Sequence, residues 1–298
     1  MNLRTHKLLI VGLALVAPSC SDAAADTNEV LVVATTSILG DVTANIVGDS
    51  DLVEVLISIG VDPHDFQPSA RQVARMAEAD LVVVNGLGLE EELVDVLASI
   101  GRDGQAVLSV GDLLGSSEPV DGGASDPHFW MDPRQVVKVI DLIADALEEL
   151  SVEGPWRVNA DHYRAEVEAV DFEIQAILEA IPEHRRFLVT NHESLRYFAG
   201  RYKFEVIGVV VPGGSTPTEP SSSHLADLVR VMEQVGVPAV FADSTEPASL
   251  VEAVASEVGD GVEVVELFIG SLGGPGSGAE TYIEMIRTDA VLIAGALG

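Results

Sequence analysis

The chain is poor in basic residues and poorer still in cysteine. Of 298 residues, 16 are Lys or Arg and 48 are Asp or Glu, a formal charge of −32. A surface of that sign repels phosphate backbones and anionic headgroups, which excludes nucleic acid as a partner. It attracts cations, but a diffuse acidic surface makes no specific site, and solubility in a salty medium explains the acidity equally well. The single cysteine, Cys20, cannot form an internal disulfide. Near the N-terminus the only long apolar run is Leu8–Ala17, ten residues, too short to cross about 30 Å of hydrocarbon comfortably. The glycine-rich stretch from Val211 to Pro220 lacks the lysine and the spacing of a nucleotide phosphate loop. With 47% hydrophobic residues the chain is far too apolar to be disordered.

What is present begins with a leader. Arg4 and Lys7 precede the apolar run, and Pro18-Ser19-Cys20 follows it, the pattern of an export signal. An exported protein has little use for a lone exposed thiol. Cys20 is therefore expected to be the lipid-modified first residue of the mature protein, with residues 1–19 as signal peptide and 20–28 as a polar tether. Cleavage near Ala23 to Ala25, giving a freely soluble product, is the alternative.

From Glu29 onward, β-branched runs alternate with segments of helical period. Glu29–Ala34, Leu52–Ile57, Leu81–Val84 and Ala106–Val110 read as strands, with helices over Ile38–Val47, Gln67–Ala79 and Glu90–Ile100 between them. Another helix covers Pro133–Leu150, with Pro133 in its first turn, where a missing N–H costs nothing. Runs that are apolar on both faces and separated by helices predict a mostly parallel sheet covered on two sides. Val158–Ile181 contains neither glycine nor proline, and Tyr163, Val167, Val170, Ile174, Ile177 and Ile181 fall on one helical stripe. The alternation then resumes: Phe187–Thr190, Phe204–Val211, Ala239–Ala242 and Val262–Phe268 as strands, with helices over Glu193–Ala199, Ser222–Val235, Pro247–Val258 and Glu280–Leu297. The expected fold class is α/β, with lobes at 29–152 and 183–298 joined by one long helix at 153–182. Ligands of such sheets settle beyond the carboxyl ends of the strands.

Three histidines recur in that setting, each in a loop beyond a strand or before a helix: His64, His128 and His192. A neutral imidazole offers one ring nitrogen to a metal while the other donates to a carboxylate or carbonyl. Prolines flanking His64 and His128 stiffen the backbone and lower the entropy lost on forming a site. Three imidazoles and one oxygen would suit zinc. No short metal-ligand motif is present, however, and scattered histidines also serve as polar cleft residues or caps.

The segments around them carry more. Pro63-His64-Asp65-Phe66-Gln67-Pro68-Ser69, Asp126-Pro127-His128-Phe129-Trp130-Met131-Asp132-Pro133 and Thr190-Asn191-His192-Glu193-Ser194-Leu195-Arg196-Tyr197-Phe198 stand in order along the chain. Ser271-Leu272-Gly273 and Thr281-Tyr282-Ile283-Glu284-Met285-Ile286-Arg287 follow near the end. From about Val30 onward the chain resembles the bacterial zinc and manganese solute-binding proteins of ABC importers. The resemblance implies two α/β lobes, one long rigid linking helix and a metal site in the inter-lobe cleft. It also implies His64, His128 and His192 as ligands. That family commonly places an aspartate just before the Ser-Leu pair, where this chain has Gly270, which has no donor atom. The fourth ligand is then a water or a carboxylate from Asp243, Glu246 or Glu280. Asp243 and Glu246 can equally serve as cap and first-turn acid of the helix that follows them.

Three nitrogens favour zinc over manganese, so Zn²⁺ is the expected cargo and Mn²⁺ the alternative. The resemblance further implies a membrane permease as partner, a monomeric, non-catalytic protein, and lipid anchoring at the outer face of the cytoplasmic membrane. Two other functions fit parts of the pattern. A zinc-dependent hydrolase on the cell surface would need Glu193 as its base, and an adhesin would bind surfaces without the three histidines.

Overall fold

The computed structural model describes residues 30–115, 125–150, 153–213, 219–259 and 261–298. The leader, Cys20 and the tether lie outside the described residues, as does the whole stretch from 116 to 124. Two four-stranded sheets, all strands parallel, form the frame. The first has the order β2-β1-β3-β4, with β1 Val32–Ala34, β2 Val53–Val55, β3 Leu81–Val84 and β4 Val107–Ser109. The second repeats that order as β6-β5-β7-β8, with β5 Phe187–Thr190, β6 Glu205–Val209, β7 Ala239–Asp243 and β8 Glu263–Leu267.

Side chains alternate across a strand, so a wholly apolar run must be covered on both faces. Val33, Val82 and Val84 face one cluster, with Leu56, Ile57, Met76 and Leu93. Val32, Ala34, Leu81 and Val83 face another. The second sheet divides likewise: Val189, Val240 and Ala242 pack with Leu228, Met232 and Val251, whereas Leu188, Ala239 and Phe241 turn the other way. The inward faces of both sheets join a single apolar core. Helices α1 Ser37–Val47, α5 Pro133–Glu149, α6 Trp156–Glu179 and α10 Tyr282–Leu297 contribute to that core, so the lobes share it.

The long helix is α6, whose 24 residues span about 36 Å at 1.5 Å per residue. Its buried stripe runs Ala160, Tyr163, Val167, Val170, Ile174 and Leu178, packed on α5, α10 and α1. Leu178 takes the place expected of Ile177, and the helix stops before Ile181. Asp171, buried on this helix, accepts from Arg201 Nε at 2.8 Å and from Tyr202 OH at 2.8 Å. These bonds tie it to α7, Arg196–Tyr202. Ile174→Ala should destabilise the protein by about 2–5 kcal/mol, since the side chain is fully enclosed. A loss below about 1 kcal/mol in denaturant unfolding would show that α6 is not packed as described.

Remaining helices are α2 Ala70–Glu78, α3 Val94–Arg102, the single turn α4 Val110–Leu113, α8 Ser222–Val235 and α9 Ser249–Val258. Helices α2, α3 and α7 start three or four residues later than their apolar pattern suggests. Ser69 caps α2 in a capping box with Gln72, which fixes the start after Pro68. Ahead of α3, Glu90 is withdrawn to accept from Thr35 Oγ1 (2.5 Å), Asn85 N (2.8 Å) and Gly86 N (3.1 Å). Before α7, a tight turn closed by Ser194 N to His192 O (2.8 Å) delays the helix to Arg196.

Candidate metal centre

All three imidazoles lie beyond carboxyl ends of strands, where the two lobes meet. His64 sits in the loop after β2. The turn is set by Asp62, whose Oδ1 accepts the backbone N–H of His64 at 2.9 Å. His128 repeats the device: Asp126 Oδ1 accepts its backbone N–H at 2.9 Å. The repeated tripeptide Asp-Pro-His is therefore a local rule, and its first residue is the orienting group that inspection of the histidines alone overlooks. His192 follows β5, where Asn191 Oδ1 accepts the N–H of Asp243, the last residue of β7 (3.3 Å).

The rings converge. His128 Nε2 lies 3.3 Å from His64 Nε2 and 3.2 Å from His192 Nε2, and the three residues are only 1–3% exposed. Nitrogens bound at 2.0–2.1 Å to one tetrahedral ion stand about 3.3–3.4 Å apart, so these two separations match those around a zinc-sized cation. The opposite ring edges are addressed too. Asp126 Oδ1 lies 2.8 Å from His128 Nδ1, which fixes the proton there and leaves the Nε2 lone pair aimed inward. Glu246 Oε1 lies 2.8 Å from His192 Nδ1, a close ion-pair contact with alignment short of a good hydrogen bond. Among the described residues, the buried His64 Nδ1 has no such partner.

Burial, followed by the charges His128 and His192 can carry, lowers the His64 pKa to about 2, so it stands neutral and ready to donate a lone pair. At His192 burial also opposes the charge, but Glu246, Asp243 and Asp62 together outweigh it and raise the pKa. Trp130 closes one wall. Its ring stands 5.2 Å from that of His128, and its Nε1 donates to Ile269 O of the other lobe at 2.9 Å. Behind it, Asn85 Nδ2 donates to Pro127 O at 3.1 Å, linking the Glu90 network to the His128 loop.

The carboxylates considered for a fourth ligand sit elsewhere. Among the described residues, the donor atoms mutually within 4.8 Å at this centre belong to the three histidines. Asp243 and Glu246 group with His192 in a second set. Asp243 Oδ1 is taken up by Thr245 N (3.0 Å), Thr245 Oγ1 (2.9 Å) and Gly270 N (3.3 Å). Glu246 approaches the Nδ1 edge of His192. Glu280 belongs to neither set: its carboxylate accepts Gly276 N at 2.6 Å within the glycine loop, which lowers its pKa. At Gly270 a Cβ would meet Thr245 Oγ1 at 2.8 Å and Asp243 Oδ2 at 3.2 Å, so those two side chains fill the space a larger residue would claim. Glu193, the base a hydrolase would need, is bound to Arg196 at 2.6 Å.

Comparison with known proteins gives one consistent result. A family model described as zinc-uptake complex component A, periplasmic, matches residues 32–296. The chain is 30% identical to the manganese-binding lipoprotein MntA of Halalkalibacterium halodurans, covering 94% of this chain and 93% of that one. It is 30% identical to the iron-binding protein YfeA of Yersinia pestis over 90% of this chain and 86% of the relative. The solved structure of the periplasmic zinc-binding protein TroA from Treponema pallidum superposes with a TM-score of 0.84 at 28% identity. That alignment covers 91% of this chain and 99% of the other.

Proposed function

Because the chain belongs to the zinc-uptake component A family, extracytoplasmic solute-binding proteins of ABC importers for divalent transition metals, we propose that it captures Zn²⁺ through Nε2 of His64, His128 and His192. It is a binding protein and not an enzyme. The observation that carries this reading is the approach of His64 Nε2 and His192 Nε2 to 3.3 and 3.2 Å of His128 Nε2, with the donor atoms of all three buried rings within 4.8 Å of one another, a spacing suited to vertices around a small cation. The relatives' names include manganese, iron and zinc, so membership alone leaves the cargo open. The donor set supports zinc: a centre of three nitrogens with no carboxylate among its mutually close donors disfavours Mn²⁺, which takes oxygen ligands more readily.

The fourth position on this reading is filled by water, with Asp243 and Glu246 supplying negative charge from behind His192. Loaded protein docks as a monomer on its membrane permease. Cys20 carries the lipid that holds it at the outer face of the cytoplasmic membrane, and the lobes divide at the linking helix, 153–182. Competitive titration of the metal-free protein tests the cargo. Zn²⁺ is expected to bind more tightly than Mn²⁺ by at least about a hundredfold. Displacement of zinc by equimolar manganese would defeat the zinc reading while leaving a metal site.

A further inference from the structure

The first lobe contributes His64 and His128, the second contributes His192, and something must hold the His64 loop at the right distance from the opposite lobe. We propose that Ser271 is the positioning residue: its hydroxyl, supplied by the second lobe, anchors the turn that leads into His64. This inference rests on the three-histidine reading of the site and adds what governs how long the ion stays.

Four contacts form a closed set. Gly60 N donates to Ser271 Oγ at 2.9 Å, Ser37 Oγ and Ser271 Oγ are 3.1 Å apart, Leu272 N donates to Ser37 Oγ at 3.1 Å, and Ser271 Oγ donates to Leu272 O at 3.0 Å. Each hydroxyl has one proton, which sets the directions. Ser271 spends its own proton on Leu272 O, so it accepts from both Gly60 N–H and Ser37 O–H. Ser37, at the start of α1, in turn accepts from Leu272 N–H. Both serines are buried, at 5% and 1% exposure, which shields the bonds among Ser37, Ser271 and Leu272 from competing water, while the bond from Gly60 is part-buried.

Gly60 stands four residues before His64. Its φ of +79° is a left-handed conformation that glycine adopts without strain, and Val61 N closes the turn onto Ser58 O at 3.1 Å. Pro63 then stiffens the path, and Asp62 fixes the His64 N–H. Holding the Gly60 amide therefore sets where the His64 ring arrives. On its other side, Ser271 follows Gly270, whose N–H reaches Asp243, and Asp243 N in turn reaches Asn191 beside His192. A continuous run of hydrogen bonds connects a ligand loop of one lobe with the ligand strand of the other, and Ser271 is the one member crossing to the His64 loop. The Gly60 bond holds the His64 loop to the second lobe, so its effect is expected on release of the ion rather than on capture.

The test uses the full mature chain loaded with Zn²⁺, with release followed by transfer to a chromophoric chelator. Ser271→Ala is expected to raise the dissociation rate about three- to tenfold, the effect of one part-buried hydrogen bond, with the association rate little changed. Hydrogen exchange supplies a second readout that a general loss of stability would not mimic. In zinc-loaded wild type the Gly60 amide is protected, and in the variant that protection is lost while the amides of Val82 and Val240 keep theirs. Ser37→Ala, which leaves the Gly60 bond in place, is expected to have the smaller effect on release. A dissociation rate unchanged in S271A, or a Gly60 amide that exchanges freely in loaded wild type, overturns the proposal while the metal site stands. Wild type that takes up no zinc overturns the site reading and this inference with it.

Discussion

Replacing His128 by alanine is expected to abolish high-affinity metal binding, with affinity falling on the order of a thousandfold or more. His128 is the vertex both other rings approach, at 3.3 and 3.2 Å, so its loss leaves two nitrogens unable to enclose an ion. The variant should fold. The imidazole is buried, but the backbone bond to Asp126 and the packing of Trp130 against Ile269 do not depend on the ring. Asp126→Asn should act through the same residue and cost less, about 10- to 100-fold, because it loosens the ring without removing the donor. His162, exposed on α6, is the control, and its alanine variant should bind as wild type does. Calorimetric titration of the four proteins checks the order. Equal losses for His128→Ala and His162→Ala would end the case for the three-imidazole centre.

Acidification is expected to release the metal, and His192 sets where release begins. Metal and proton compete for the same nitrogen, so only a neutral ring binds. His64, held at about 2 chiefly by burial, carries no proton in any ordinary buffer and gives up none on loading. His192 is different: its pKa is raised above 6.5 by Glu246, with Asp243 and Asp62 assisting, against the burial that favours the neutral ring. Loading therefore expels more proton from His192 at a given pH than it would from an imidazole of ordinary pKa, and affinity falls by up to about tenfold per pH unit below its titration range. Glu246→Gln should lower that pKa and reduce the proton release measured in buffers of different ionisation enthalpy. Unchanged proton release in that variant would refute the role given to Glu246.

The same shifts act on the metal-free fold with opposite signs. His192 is raised, so its contribution to stability is fully present below pH 6.5 and is lost as pH rises through the folded value. His64 is lowered, so its contribution is present above 6.5 and is lost as pH falls. Acid thus destabilises the metal-free protein at His64, whereas it does not remove the contribution of His192.

Sequence alone determined the repeating strand–helix order, because a run such as Leu81–Val84 can be satisfied only in a sheet covered on both faces. It also marked the long helix by the spacing of Tyr163, Val167, Val170 and Ile174, and the three histidines through the segments that resemble a known family. Sequence could not show that the inward faces of the two sheets share one core, or that Asp126 orients the His128 ring and Glu246 approaches that of His192 while Glu280 turns to its own loop. Tertiary structure decided these because each depends on distance between segments far apart in the chain. Residues 64, 128 and 192 become neighbours only after two sheets and α6 are packed, and the same packing brings Ser271 to Gly60 across 211 positions. Periodicity records which face of an element is buried; it carries no information about which buried faces meet.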